Sequence, residues 1–215
     1  VITSSFGSMM DRSKGFWPEH TYSDADWCPL TPEEALLDPG AGYQVASRTF
    51  AEKAAWEFLE KEKPAFTLST ILPPLVFGPV SQRVNSANSL NTSNQFIYGF
   101  IAGPAKGEIP PTINPIFADV RDVAFAHVAA MEKPEAANKR FFITGGYSSN
   151  RKIVDIIRKN FPQFHSQLPP ESAKGGELPE AVFKFDNQPS NDILALPYKT
   201  LEKCISDTVR SFNFI

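Results

Sequence analysis

Apolar residues recur along this chain with two different periods, and the two alternate. Between Tyr43 and Lys63, Ala46, Phe50, Ala54 and Phe58 return at every fourth position, with Trp56 and Leu59 alongside. That spacing predicts a helix, and Pro64 ends it. Phe66 to Ile71 is a short apolar and β-branched run stopped by Pro73-Pro74, which reads as a strand. Val1-Ile2-Thr3 reads as the end of a buried strand running into a loop at Ser4-Ser5-Phe6-Gly7. Further helices are predicted over 85–101, over 121–131 with Asp119 as N-cap, over 149–161 with Ile153, Ile156 and Ile157 inward, and over 200–212. Short strands are predicted at 116–117 and 140–144, the second turned by Gly145-Gly146. Residues 11–42 and 168–189 carry no sustained period and read as a surface excursion and a loop.

Strand and helix in alternation predict an α/β fold with a mostly parallel sheet. Three or four strands are fewer than a doubly wound sheet usually holds, so the sheet reads as incomplete. The composition, 42% hydrophobic and 21% charged, is that of a globular chain with a real core. A formal net charge of −3 without a Lys/Arg cluster argues against nucleic acid or an anionic membrane as partner. The longest apolar run, Leu68 to Pro79, is too short to span a bilayer. Cys28 and Cys204 have no metal or redox spacing and fit free thiols in a reducing compartment. The start at Val1 has no basic stretch of a secretory signal, and the expected location is cytoplasmic.

Gly40-Ala41-Gly42 is the one G-x-G, but no strand precedes it and Val45 fills the third glycine position, so it reads as a helix-start turn. Ser5 follows a strand's C-terminal end, where α/β sheets place ligands. Tyr43 opens the main helix and Arg48 lies within it; a cation beside a tyrosine stabilises its phenolate and favours proton transfer to a carbonyl oxygen. His127 shares a helical stripe with Val123 and Met131 and reads as packing. Asp119 and Asp122 read as caps or partners of Arg121, and Trp17, Trp27 and Trp56 as packing residues. His20 and His165 lack ligand spacing, so no metal site is expected.

The stretch from Phe50 to Phe58, FAEKAAWEF, is similar to a helix of the extended short-chain dehydrogenase/reductases, in the dihydroflavonol-reductase-like branch that includes fungal methylglyoxal and aldehyde reductases. Val1-Ile2-Thr3-Ser4-Ser5 resembles that family's strand carrying the catalytic serine. Leu72 to Pro79 resembles its N-P-x-x-V-x-G-P segment beside the nicotinamide, and Asp119 to Ala124 with His127 its D-V-R-D-V-A-x-A-H segment. The four matches occur in order and run essentially end to end.

The resemblance implies an NADPH-dependent carbonyl reductase of aldehydes or ketones, in fungal metabolite biosynthesis. It implies Ser5, Tyr43 and Arg48 as catalytic, Arg48, Pro73 and Pro74 as contacts of NADP(H), and Phe6, Met9 and Pro74 on the substrate side. The family's lysine falls on Arg48, and its tyrosine on Gln44, whereas Tyr43 is five residues before Arg48. Four residues leave two side chains roughly 40° apart around a helix and five leave them roughly 140° apart. At Leu72 the family's usual Asn is replaced. In the family a glycine loop and four strands precede the serine strand, so the chain reads as the C-terminal portion of an incomplete Rossmann-like fold. The expected division is 1–83, with the remaining sheet strands and the Tyr43/Arg48 helix, and 84–215, a small substrate-side α/β lobe in which 116–145 returns to the sheet. A sheet cut in this way bares an edge, which implies an oligomer or a partner chain covering it. The alternative is a truncated homologue without redox activity: a cofactor-free pseudoenzyme, a non-redox biosynthetic catalyst or a partner-binding chain.

Overall fold

The computed structural model describes residues 1–37, 40–82, 84, 86–103 and 107–212, without the side chains of residues 41 and 43. In chain order the elements are β1 (Ile2–Thr3), β2 (Thr21–Tyr22), α1 (Pro32–Leu37), α2 (Ala41–Glu62), β3 (Ser69–Leu72), β4 (Leu75–Phe77), α3 (Thr92–Ile101), β5 (Ile116–Asp119), α4 (Val120–Glu132), β6 (Lys139–Phe142), β7 (Gly146–Tyr147), α5 (Asn150–Asn160), β8 (Lys184–Phe185), α6 (Gln188–Leu194) and α7 (Leu201–Arg210). They form two compact units, each built from separated pieces of chain: 1–74, 122–144 and 181–197 in the first, and 75–121, 145–180 and 198–215 in the second. The break falls after Pro74 rather than at 83. β5 belongs to the second unit, whereas most of α4 and all of β6 return to the first.

The first unit holds a parallel sheet of order β1-β3-β6, with Ile2 opposite Thr70 and Leu72 opposite Phe142. All four residues of β3 are buried, as a strand covered on both faces requires. The chain continues the ladder past β1, where Ser4 N donates to the Ile71 carbonyl at 2.7 Å and Phe6 N to that of Pro73 at 2.9 Å. The excursion over 11–42 is not all surface. Within it β2 pairs in parallel with β8, and Tyr22 is 1% exposed. Tyr22 packs edge-on against Phe6 and Phe183, and Phe6 stacks on Phe142. Aromatic packing, rather than alternation, fixes these two-residue strands.

α2 begins at Ala41 and buries Gly42, Ala46, Thr49 and Glu52. The row read from the sequence, Ala46, Phe50, Ala54 and Phe58, drifts instead from buried to exposed. Four residues turn about 400°, so each step moves some 40° around the axis, and three steps carry Phe58 about 120° from Ala46. On α4, Val123 is buried and His127 half-buried, but Met131 is 71% exposed, so that stripe leaves the core by the same drift.

The second unit holds β4 and β5 in parallel, with β7 antiparallel to β5. Its core gathers Phe77, Ile97, Phe117, Ile153, Ile157, Ile205 and Val209 from β4, α3, β5, α5 and α7. Ser149 and Thr200 cap α5 and α7 by accepting from Lys152 N and Lys203 N. Ile156, expected inward on α5, is partly buried and packs against this core.

Candidate active site

Ser5 caps the 3₁₀ turn Phe6–Ser8 directly after β1. Its Oγ accepts from Gly7 N at 3.1 Å and from Arg48 Nη1 at 3.0 Å. A hydroxyl has two acceptor positions and one proton, so the Ser5 proton is left to donate. The guanidinium polarises that O–H, because a cation on the oxygen makes its hydrogen a stronger donor. The family resemblance placed Ser5 and Arg48 at one site, and the structure brings them into contact although 43 residues separate them.

The Tyr43 side chain lies outside the described residues. Its backbone is already helical, because α2 begins two residues earlier at Ala41. The spacing of five from Arg48 therefore corresponds to roughly 140° of rotation. Gln44, four residues before Arg48, is exposed. Pro73 is buried, with its carbonyl accepting from Phe6 N, and Pro74 is half-buried. Phe6 is 7% exposed and Met9 1%, so both are committed to the aromatic and apolar packing of the first unit.

Two polar groups missed by the sequence reading lie beneath this turn. Glu52 is 1% exposed and accepts from Ser8 Oγ at 2.7 Å, Thr70 Oγ1 at 2.8 Å, Arg140 Nε at 2.8 Å and Ser4 Oγ. Arg140 also donates to the carbonyls of Asp24 at 2.5 Å and Asp26 at 2.6 Å, and its guanidinium lies 3.7 Å from the centre of the Trp27 ring. Burial pushes the Glu52 carboxyl up, but donors from Arg140, Ser4 and Ser8 and the Arg140 charge outweigh it and hold the carboxyl below the ordinary range. One signal was available in the sequence: Glu52 stands at a position that the helical period of α2 buries.

His127 Nδ1 lies 2.8 Å from the Val123 carbonyl and must donate to it. In the neutral ring Nε2 therefore accepts from Thr3 Oγ1, 2.7 Å away. The expected packing residue thus also ties α4 to the end of β1. In the second unit Arg121 grips Asp119 with two nitrogens, at 2.8 and 2.6 Å, and Asp207 with a third at 2.6 Å. Burial raises the Asp119 carboxyl, and the Arg121 hydrogen bonds and charge more than reverse this. Among the described residues, no group of three or more His, Cys, Asp or Glu side chains could hold a metal ion. Among them, too, no helix is long and apolar enough to cross a membrane.

No protein-family model matches the chain. Individual proteins do. Ketoreductase azaE of Aspergillus niger is 40% identical over 98% of this chain and 61% of its own length. A putative NADPH-dependent methylglyoxal reductase of Candida albicans is 38% identical over 97% of the chain and 61% of its own length. The crystal structure of Gre2 from Candida albicans superposes with a TM-score of 0.88 at 34% identity, over 98% of this chain and 63% of that one. The chain belongs to the extended short-chain dehydrogenase/reductases. It spans about 61% of the length of the curated relatives it matches. The reductase family's fold accounts for the parallel order β1-β3-β6 and for the serine at the C-terminal end of β1.

Yeast methylglyoxal/isovaleraldehyde reductase Gre2, 30% identical with a TM-score of 0.87, was solved complexed with NADPH. Ser5 and Arg48 together offer a hydroxyl and a cation beyond the end of β1. The twelve glycines contain no G-x-G-x-x-G fingerprint for the pyrophosphate.

Proposed function

We propose that the chain carries the carbonyl-activating part of an NADPH-dependent reductase of aldehydes or ketones, serving the reduction of a fungal metabolite. The observation that carries this reading is the contact between Arg48 and Ser5 Oγ, which leaves the serine proton to donate. The named ketoreductase and methylglyoxal reductase relatives support it. The Ser5 hydroxyl donates to the substrate's carbonyl oxygen, and the Arg48 charge behind it favours the negative charge that grows there. NADPH, when bound, supplies the hydride to the carbonyl carbon. Tyr43, whose backbone lies on α2 five residues before Arg48, is the proton donor in this reading. Pro73, whose carbonyl extends the ladder past the end of β3, and Pro74 after it flank the nicotinamide, and Phe6 and Met9 support the substrate side from within the core.

Calorimetric titration of the purified chain with NADPH, followed by turnover of a carbonyl panel, tests the reading. Ser5→Ala is expected to lower kcat by about 10²-fold, the usual effect of losing one donor to an oxyanion. Tyr43→Phe decides the identity of the acid, since it removes the ionisable group alone. Absence of NADPH binding would reject the reading for this chain.

A partner follows from a separate observation. Among the described residues β1 pairs with β3 alone, and Ile2 on it and Val1 before it are exposed, as are Phe125, Val128 and Met131 on one face of α4. Parallel sheets are ordinarily covered on both faces and flanked at their edges. The occupant proposed for this surface is a further polypeptide offering a parallel strand and an apolar helix, since the relatives are longer than the part this chain matches. Sedimentation should show an oligomer or a complex; a clean monomer with a reversible cooperative melt would contradict it.

A further inference from the structure

Glu52 stands directly behind the Ser5 turn. Its Oε2 accepts from the hydroxyls of Ser4 and Ser8, which bracket Ser5. Ser8 Oγ lies 2.7 Å from this oxygen and 2.8 Å from the Ser5 carbonyl, but it has one proton. That proton goes to the charged acceptor, because hydrogen bonds to a carboxylate are the stronger. The other oxygen, Oε1, accepts from Thr70 on β3 and Arg140 on β6. One buried side chain on α2 therefore joins the turn to two strands of the sheet. Ser5 itself has extended backbone, φ −160° and ψ 150°, and its Oγ turns toward Arg48 and Gly7 N. With both flanks held, the backbone cannot carry the Ser5 Cα–Cβ bond away from Arg48 without breaking two bonds to a buried anion.

We propose that Glu52 is a positioning residue, which fixes the turn Ser4–Ser8 so that the Ser5 hydroxyl stays on Arg48. The proposal rests on the reading of Ser5 as the carbonyl-binding group. A charge that served stability alone would need only Arg140 and would not reach both serines flanking Ser5.

The double variant Ser4→Ala/Ser8→Ala separates the two roles, since it cuts the turn from Oε2 and leaves the Arg140 and Thr70 bonds in place. Amide exchange at Gly7, whose N–H donates to Ser5 Oγ, should rise about tenfold, as loss of roughly one hydrogen bond's worth of local order implies. Exchange at Ile71 and Phe141, in β3 and β6, should stay unchanged. The Ser5 Cβ chemical shift should move with Gly7. If the chain reduces carbonyls, kcat should fall with KM held. A wild-type chain that turns over no carbonyl fails the functional reading, and the exchange result still decides this one. Unchanged Gly7 exchange, or an equal rise at Gly7, Ile71 and Phe141, would overturn the positioning role. Should the double variant not fold, Ser4→Ala alone gives the same comparison.

Discussion

Replacing Arg140 by methionine is expected to cost the first unit about 3–5 kcal/mol, the range found when one partner of a buried ion pair is removed. The side chains of Arg140 and Glu52 are 10% and 1% exposed, so water cannot take the guanidinium's place. The variant would keep the aliphatic volume over Trp27 but lose the charge on Glu52 and the donors to the carbonyls of Asp24 and Asp26. Tryptophan fluorescence in a urea titration reads this unit alone, because Trp17, Trp27 and Trp56 all lie within it. A midpoint within error of wild type would show that the serine and threonine donors, with the Trp56 indole N–H 3.4 Å from Oε1, suffice for the carboxylate.

The same pair gives opposite pH dependences in the two proteins. In the wild type the Glu52 carboxyl is held below its ordinary range. Its contribution is therefore present above the unfolded pKa, about 4.3, and is lost as pH falls through the still lower folded value. Without Arg140, burial is opposed only by neutral donors, and the folded pKa is expected to rise above the unfolded one. Stability of the variant is then greatest below the unfolded pKa and declines as pH climbs through the raised folded pKa. The gap between the two proteins should narrow from pH 7 toward pH 5. Urea midpoints at several pH values check this, and a constant gap would contradict it.

What was legible in the sequence depends on how far a pattern reaches along the chain. β3, β6, α2, α5 and α7 were visible because each carries its own apolar run or a local cap such as Ser149 or Thr200. β2 and β8 were not, because two residues hold no period and Thr21 finds Lys184 only by folding. Asp119 and Arg121 could be paired by eye, two residues apart; Asp207, 86 residues from Arg121, could not. The helical period of α2 marked Glu52 as buried, but its pairing with Arg140, 88 residues away, was invisible for the same reason. Ser5 and Arg48 were brought together beforehand by family resemblance rather than by spacing. Even within α2 the apolar row was misleading, since strict returns at every fourth residue rotate out of the core.

In the second unit the largest loss is expected from Arg121→Met, again about 3–5 kcal/mol for a buried carboxylate left without its cation. Which carboxylate suffers can be decided in advance. Asp207 keeps Lys203 at 2.8 Å and Arg210 at 3.2 Å, and its side chain is 13% exposed. Asp119 is 0% exposed, and Arg121 is the cation bound to it. Its carboxyl, held low by Arg121 against burial, would then carry an uncompensated charge inside the unit. Adding Asp119→Asn to Arg121→Met should therefore recover a large part of the loss, because the amide oxygen still accepts from the backbone N–H of residue 121 and no charge is buried. Adding Asp207→Asn should recover little. The unit has no tryptophan, so amide exchange at Ile157 in α5 and Val209 in α7 is the measurement. If Asp207→Asn rescued the variant as well as Asp119→Asn, the energetic weight would lie on the exposed side of the cluster, and Asp119 would not be the charge that Arg121 is needed to neutralise.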